Sequence, residues 1–380
     1  MNFAFNEDQL LIKNDARRFL SDRCSMDMVR DYQDGNAEQV SPLWQEIIEL
    51  GWMGVAIPEA YGGLGMGYLE LCVLAEELGR VSAPVPFSSS IYLAAEALLQ
   101  YGSEQQKQAY LPRLACGELI GAVGFNDPGS VTFHEGVISG IKRPVAHGAL
   151  ADITIISALD NNGQAVLVLV DMTEDSVASG ARCKRKLLNS VDPSVSNAEL
   201  SFDRCAAVIL GACNNSLDAI DNLLNRAAVI LAFEQIGGAD RCLELTVEHV
   251  KERKTFGRVV GSYQSVKHKL AKMYAHNELA RSNAYYGAWA LASGSDELGI
   301  AASSARISAI DCFEYASREG LHLHGGMGYT WEVDCHLYLK RSRDLSLRLR
   351  SSRYWKEKLV ALTLEAANNA ETVPTWLANA

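Results

Sequence analysis

The 380-residue sequence predicts an α+β fold in which helices and strands are segregated along the chain. Residues 1–120 show the apolar spacing of helices, and residues 121–212 show short β-branched runs between turn residues. Residues 213–380 show long amphipathic patterns, enough for a four-helix bundle. Because a chain of this length exceeds what one hydrophobic core usually holds, we expect three domains with these boundaries.

The N-terminal domain is predicted to be helical from its apolar periodicity and its helix-terminating residues. Residues 44–50 and 68–78 repeat apolar side chains at spacings of three and four. Ser103, with Gln106 three residues later, forms a capping-box pattern and predicts a further helix. Pro112 is expected to end that helix, because proline removes a backbone donor and clashes with the preceding turn.

The central domain is predicted to be a small β domain. Residues 153–157 and 165–170 are β-branched runs, and the turn sequence Asp160-Asn161-Asn162-Gly163 between them predicts a hairpin. Shorter strands are expected at 137–139, 199–202 and 207–210.

The C-terminal domain is predicted to consist of long helices. An apolar stripe predicts one helix from residue 214 to Lys254, despite two adjacent glycines within it. Further helices are expected over 263–292, 296–318 and 351–368. Together these helices form the predicted bundle.

Composition and charge indicate a soluble cytoplasmic protein. The net charge of −11 argues against nucleic acid or an anionic membrane as the main partner. The start of the sequence has no basic segment followed by an apolar one, and no apolar run approaches the roughly 20 residues that span a bilayer. Nine cysteines occur without a CxxC pair, which predicts reduced and mostly buried thiols.

Two segments, 251–264 and 323–332, carry residues suited to a dinucleotide and lie about sixty residues apart. Arg253 provides a planar fork of donors that suits a pyrophosphate. Phe256 offers an apolar face to a ring, and the amide of Gln264 can both donate and accept hydrogen bonds. The second segment packs three glycines into four residues, so that backbone amides can come close to a ligand.

These segments resemble the flavin-binding signatures of the acyl-CoA dehydrogenase family, and the resemblance covers essentially the whole chain. It implies FAD as cofactor, an acyl-CoA as substrate and an electron-transfer flavoprotein as acceptor. Family members share each FAD between two subunits. The resemblance implies that this chain contacts the adenosine and pyrophosphate end of FAD through Arg253, Thr255, Phe256, Gln264, Gly325 and Gly326.

The segments that contact the flavin ring depart from the family pattern. Where the family has Thr-Glu-Pro, small residues and Ser-Asp, residues 125–131 are Phe-Asn-Asp-Pro-Gly-Ser-Val. Pro144 stands where the family has a stacking tryptophan, and Ala146 stands where it has a hydrogen-bonding threonine. The resemblance therefore implies that this chain lacks its own half of the ring site.

The catalytic base of the family is also missing. In the family a glutamate removes the α-proton of the thioester while the flavin accepts a hydride. Its two known positions fall on Leu349 and Ala227, and neither 347–351 nor 225–228 contains an acid. Glu234, about 10 Å along the helix from Ala227, is the remaining catalytic candidate, although a buried structural or interface role is favoured.

Three other groups of residues have both a structural and a functional interpretation. The basic stretch 340–358 could meet the phosphates of CoA, but a solvated helix or subunit interface is favoured. Glu76 and Glu77 are interpreted as structural acids on a helix. His322 and His324 are interpreted as structural residues rather than metal ligands, because the sequence shows no further ligand cluster near them.

The combined pattern resembles the non-catalytic type of subunit in an α2β2 acyl-CoA dehydrogenase, whose homologous partner supplies the base. The run 326–341 resembles the heteromeric enzymes of steroid or bile-acid side-chain breakdown. Three alternatives stay open: a homotetrameric dehydrogenase with an unconventional base, a flavin-dependent monooxygenase on the same fold, and a purely structural or regulatory subunit.

Overall fold

The N-terminal part of the protein is helical. The structure, a computed structural model, describes residues 5–35, 41–173, 182–211 and 216–369. Its first helices are α1 (Glu7–Arg23), α2 (Met26–Asp34), α3 (Pro42–Glu49), α4 (Tyr68–Arg80), α5 (Glu96–Tyr101) and α6 (Glu104–Ala115). A π-helix, Ser88–Ala95, leads directly into α5.

The helix α6 confirms one sequence prediction and corrects another. The capping box between Ser103 and Gln106 is present, with both reciprocal hydrogen bonds. The prediction that Pro112 ends this helix is wrong, because α6 continues to Ala115. Pro112 lies in the last turn, so the loss is limited to the one bond that its missing N–H would have made, and its carbonyl accepts a bond from the Cys116 N–H at 3.0 Å.

The central part is one curled sheet. Its strands are β1 (Gly121–Gly124), β2 (Val131–His134), β3 (Val137–Val145), β4 (Ile153–Leu159), β5 (Ala165–Asp171), β6 (Arg182–Leu187), β7 (Ala198–Ala206) and β8 (Val208–Ile209). The strand order is β6-β7-β3-β2-β4-β5-β8, and β1 pairs with β4 in parallel. Strands β4 and β5 form the predicted hairpin, and Asp160 accepts bonds from the Asn162 and Gln164 amides across its turn.

One pair of cysteines is oxidised, whereas reduced thiols were predicted. The structure joins Cys183 on β6 and Cys205 on β7 in a disulfide, with Cα atoms 6.2 Å apart. The prediction of reduced thiols is therefore wrong for these two residues. They are distant in sequence, and only the pairing of the two strands brings them together.

The C-terminal part is a bundle of long helices with a short hairpin between the first two. The helices are α7 (Ser216–Glu252), α8 (Gln264–Ser293), α9 (Leu298–Leu323), α10 (Cys335–Leu347) and α11 (Ser352–Asn369). The hairpin consists of β9 (Lys254–Thr255) and β10 (Arg258–Val259), so α7 ends two residues before the predicted Lys254. Among the described residues, no helix is both long and apolar enough to cross a membrane.

The predicted domain limits fall partly outside the described residues. The boundary between 212 and 213 lies within 212–215, and the chain ends at 1–4 and 370–380 are likewise not described. Helices, sheet and bundle nevertheless follow one another in the predicted order.

The helices α4 and α7 pack backbone to backbone and join the N-terminal helices to the bundle. A Cβ added to Gly79 would lie 1.9 Å from the carbonyl oxygen of Glu234. A Cβ added to Gly237 would lie 1.9 Å from the carbonyl oxygen of Glu76. Any side chain at either glycine would push the two helices apart.

Glu76 and Glu77 have the structural role predicted for them. Glu76 binds the Lys13 ammonium at 2.7 Å and the Arg281 guanidinium at 2.6 Å, and Glu77 binds Arg17 at 2.7 Å. Although burial acts in the opposite direction, Lys13 and Arg281 hold the pKa of Glu76 below its ordinary value. These pairs fasten α1 and α8 to α4.

Candidate active site

A cavity of about 570 Å³ lies where the N-terminal helices, the sheet and the bundle meet. It is lined by the π-helix, the ends of β1 and β3, the N-terminal half of α7 and the C-terminal end of α10. The lining residues come from positions as far apart as Ser88 and Arg350. All three parts of the fold are therefore needed to form this cavity.

The positions that sequence analysis assigned to ring binding and to the base lie in this one cavity. Phe125, Pro144 and Ala146 line it from the sheet. Ala227 lines it from α7, and Leu349 lines it from the turn after α10. The two alternative positions of the family base thus face the same space, and neither supplies a carboxylate.

Asp344 is the single carboxylate among the described residues that line the cavity, and sequence analysis missed it. Its Oδ2 accepts a bond from Arg348 Nε at 2.6 Å, and its Oδ1 accepts one from Asn197 Nδ2 at 3.2 Å. Both oxygens are engaged, so Asp344 is a paired carboxylate. The spacing of four residues between Asp344 and Arg348 on a helix was the signal that could have indicated this pair.

The turn after α10 holds Leu349 and Arg350 against the cavity in an unusual backbone conformation. Both residues have left-handed φ angles, +55° and +79°. Arg306, which is fully buried, donates to the carbonyl oxygen of Arg348 at 2.7 Å and also to that of Leu345. Trp355 Nε1 donates to the Leu349 carbonyl at 2.8 Å. Burial lowers the pKa of Arg306 to about 9.

Glu234 lies outside the described lining of the cavity. It is buried on α7, with its Oε1 3.6 Å from Arg341 Nη1. Burial raises the pKa of Glu234, and the Arg341 charge opposes this rise. The structure therefore places this catalytic candidate in a buried ionic cluster rather than beside the other predicted site residues.

The basic stretch 340–358 is only partly solvated, which corrects the interpretation as a solvated helix and leaves the subunit interface as a prediction. Arg341 is 4% exposed and binds Asp192 at 2.6 Å, and Arg348 is largely buried beside the cavity. Arg341 thus joins the bundle to the segment before β7, and Arg348 joins it to the π-helix by donating to Ser88 Oγ at 3.0 Å. The sequence cannot show which arginines are buried, because buried, paired arginines and solvated arginines can follow the same spacing along the chain.

The six residues assigned to the adenosine end of FAD lie exposed on the surface. Phe256 is 93% exposed at the tip of the β9–β10 hairpin. The Arg253 guanidinium has no ion pair among the described residues. A Cβ at Gly325 or Gly326 would meet no atom within 4 Å, so the backbone there is open to a ligand. Thr255 and Gln264 are exposed as well.

Stacked histidines connect the two segments that sequence analysis assigned to FAD. The rings of His249 and His324 lie 4.2 Å apart. His249 is in the last turn of α7, four residues before Arg253, and His324 immediately precedes Gly325. Burial, with the charges of His324 and Arg253, lowers the pKa of His249. The segments that are distant in sequence are therefore neighbours on the surface.

The two ends of FAD fit this chain unequally. An unpaired guanidinium beside open glycine backbone suits the pyrophosphate and adenosine. At the cavity wall, Pro144 has neither an N–H nor an aromatic ring, and Ala146 has no polar side chain, so these positions offer a flavin ring neither a stacking platform nor a side-chain donor. Among the described residues, Arg253 and the open glycine backbone thus have donors suited to this cofactor, whereas the side chains of Pro144 and Ala146 have none.

The fold and these surfaces define the family. Residues 6–118 match the acyl-CoA dehydrogenase N-terminal domain, and residues 216–347 match the acyl-CoA dehydrogenase C-terminal domain. The chain belongs to the acyl-CoA dehydrogenase family, which comprises FAD-dependent oxidoreductases acting on the CH–CH bond of acyl-CoA thioesters.

Individual members of the family are similar to this chain over most of its length. Acyl-CoA dehydrogenase IpdE2 of Mycobacterium tuberculosis is 31% identical over 82% of this chain and 83% of its own length. Acyl-CoA dehydrogenase FadE34 of the same organism is 30% identical over 93% of this chain, which spans 47% of that longer relative. A solved variant of the Tcur3481–Tcur3483 steroid ACAD is 28% identical with a TM-score of 0.83, over 96% of this chain and 99% of that one.

Proposed function

We propose that this chain is the non-catalytic type of subunit in an α2β2 acyl-CoA dehydrogenase. It holds the adenosine and pyrophosphate end of a shared FAD, through the exposed residues around Arg253 and Gly325. A homologous partner chain supplies the catalytic glutamate and the contacts to the flavin ring. FAD accepts the hydride when it is bound, and an electron-transfer flavoprotein is the proposed acceptor.

The observation that carries this proposal is the chemistry of the cavity wall. α,β-Dehydrogenation needs a free carboxylate that can remove the α-proton of the thioester. Ala227 and Leu349 occupy the two positions from which the family supplies one. Asp344, the single carboxylate of the described lining, is bonded on both oxygens. Its two oxygens are therefore directed at Arg348 and Asn197 rather than into the cavity as a free carboxylate.

The exposure of the FAD-binding residues supports a site shared between chains. The ring of Phe256 is 93% exposed and is therefore accessible to a ligand or a partner chain. The hairpin around it is nonetheless ordered, because Tyr263 Oη donates to the Thr255 carbonyl at 3.0 Å and Arg258 packs on the Tyr263 ring. An ordered, exposed hairpin suits a surface that a second subunit completes.

We further propose that the assembly oxidises an acyl-CoA with a steroid or bile-acid side chain. The similarity to the Tcur3481–Tcur3483 steroid ACAD supports this substrate class.

A second candidate function is a homomeric acyl-CoA dehydrogenase that uses Asp344 as its base. The position of this carboxylate in the cavity wall favours it. Asp344 would act only if Arg348 and Asn197 released it when substrate binds.

Activity of the purified pair separates the two candidates. We expect dehydrogenation of an acyl-CoA by this chain only together with its partner, and a loss of about a hundredfold or more on changing the partner's glutamate to glutamine. Asp344→Asn in this chain should leave the activity of the pair within a fewfold, as should the surface control Glu357→Gln. Turnover by this chain alone, lost in Asp344→Asn, would establish the second candidate instead.

A further inference from the structure

The charge of the cavity wall is opposite to that expected of a dehydrogenase. Where the family has its glutamate, the sequence is Arg348-Leu349-Arg350, and both arginines line the cavity. Asp344 balances Arg348 through a 2.6 Å ion pair. No hydrogen bond or ion pair engages the Arg350 guanidinium in the described parts of the chain, so the wall has one uncompensated positive charge.

Arg350 is held in place although it has no ionic partner. It is half-buried, and its guanidinium lies 5.9 Å from the centre of the Tyr354 ring. Its left-handed backbone is fixed through the bonds that Arg306 and Trp355 make to the two preceding residues. Left-handed conformations of non-glycine residues are costly and persist where surrounding contacts impose them. The surrounding contacts therefore hold the Arg350 side chain at the cavity in a backbone conformation that costs some stability.

The rest of the wall is mainly apolar. Its apolar members include Tyr92, Leu93, Val123, Phe125, Leu224 and Leu231. A cavity with apolar walls and one fixed, unpaired guanidinium is complementary to an apolar body that carries one anionic group. A planar carboxylate suits a guanidinium best, because the two can form paired hydrogen bonds.

We propose that this cavity is a binding site for a bulky apolar carboxylate, with Arg350 as the group that recognises its anion. The inference rests on the proposed function in one respect: the cavity of this chain is not where dehydrogenation takes place. The carboxylate belongs either to a free acid or to an acyl-CoA that carries a second acid group, and both present the same chemistry to Arg350.

Calorimetric titration tests this proposal without FAD or turnover. The probes are 4-cyclohexylbutyrate, its uncharged amide, and the CoA thioesters of 4-cyclohexylbutyric acid and of cyclohexane-1,4-dicarboxylic acid. We expect 4-cyclohexylbutyrate to bind at least tenfold more tightly than its amide, or the thioester that keeps a free carboxylate to bind at least tenfold more tightly than the thioester that lacks one. Arg350→Met should remove that preference, whereas Arg353→Met, an arginine 86% exposed on α11, should keep it.

The outcomes separate the proposal from its competitors. Binding by the free acid identifies a free-acid site, and binding by the diacid thioester alone identifies a carboxylate on an acyl-CoA. Equal affinity for acid and amide, or an unchanged preference in Arg350→Met, would overturn the proposal. If Arg350→Met weakened the binding of both thioesters equally, the proposal would also be overturned, because Arg350 would then bind the CoA phosphates. Leu93→Trp, which narrows the cavity at a half-buried position, should weaken all binding. The FAD content of the pair is measured separately, so either proposal can fail alone.

Discussion

At the scale of single residues, Arg306 determines the shape of the turn that borders the cavity. Its side chain is fully buried and supplies donors to the carbonyls of Leu345 and Arg348. Arg306→Met should lower the free energy of unfolding by about 2–4 kcal/mol, because these acceptors would be left unsatisfied. Chemical denaturation measures this change. Arg318→Met on the same helix, 59% exposed, should change it by less than about 0.5 kcal/mol; equal effects of the two variants would contradict the account.

Glu234 makes stability depend on pH. Burial raises its pKa in the folded protein, so the native state binds more protons than the unfolded state above the ordinary glutamate pKa of about 4.3. The free energy of unfolding should therefore fall as pH rises through this range.

The variant Glu234→Gln isolates this effect. Relative to the wild type, it should gain stability between pH 5 and pH 7.5 in denaturant titrations at the two pH values, while the exposed control Glu357→Gln should not. The activity of the pair should stay within a fewfold. A large loss of activity would make Glu234 the base, and an unchanged stability difference between the two pH values would contradict the proposed burial of its charge.

At the scale of elements, the contact between α4 and α7 depends on two glycines. Gly237→Ala places a methyl group 1.9 Å from a backbone oxygen of α4. It should destabilise the protein by about 3 kcal/mol, although alanine favours a helix by about 1 kcal/mol over glycine.

Thermal unfolding of the chain alone checks this prediction. Gly326→Ala is the control, because a Cβ there meets nothing within 4 Å. A midpoint for Gly237→Ala equal to that of Gly326→Ala would show that the two helices can separate without cost.

Most elements could be predicted from the sequence because their apolar patterns are long or are bounded by clear turn residues. The four longest predicted helices and the β4–β5 hairpin appear within a few residues of their predicted limits. Helix α10 was missed because Arg341 and Ser342 are buried at positions where polarity indicates exposure. The left-handed turn at Leu349 was missed because contacts with Arg306, which is distant in the sequence, impose it.

At the scale of the whole molecule, the FAD-binding surface should matter to the assembly and not to the stability of this chain. Arg253→Met should leave the thermal midpoint of the chain unchanged, because this guanidinium has no ion pair in the described regions. In the purified pair it should weaken FAD retention about tenfold or more, through loss of charge-assisted bonds. The neighbouring exposed control Lys251→Met should retain FAD, and equal retention by both variants would contradict the assignment of Arg253.

The parts of the candidate site that lie in short contiguous segments could be predicted from the sequence, and the parts that gather distant residues could not. The FAD-binding segments are short and contiguous, so their resemblance to the family was visible. The cavity gathers residues from Ser88 to Arg350, and its free Arg350 and paired Asp344 emerge only from the packing of three parts of the fold. The absence of an acid at Ala227 and Leu349 was visible in the sequence, whereas the resulting positive charge of the wall was not.

The central claim is that this chain holds half of a shared FAD site. The most direct test is the ratio of bound FAD to protein, with the oligomeric mass, for the chain purified alone and together with its partner. The account predicts a colourless chain alone and an α2β2 complex with one FAD per two chains. One FAD per chain in the protein purified alone would contradict it.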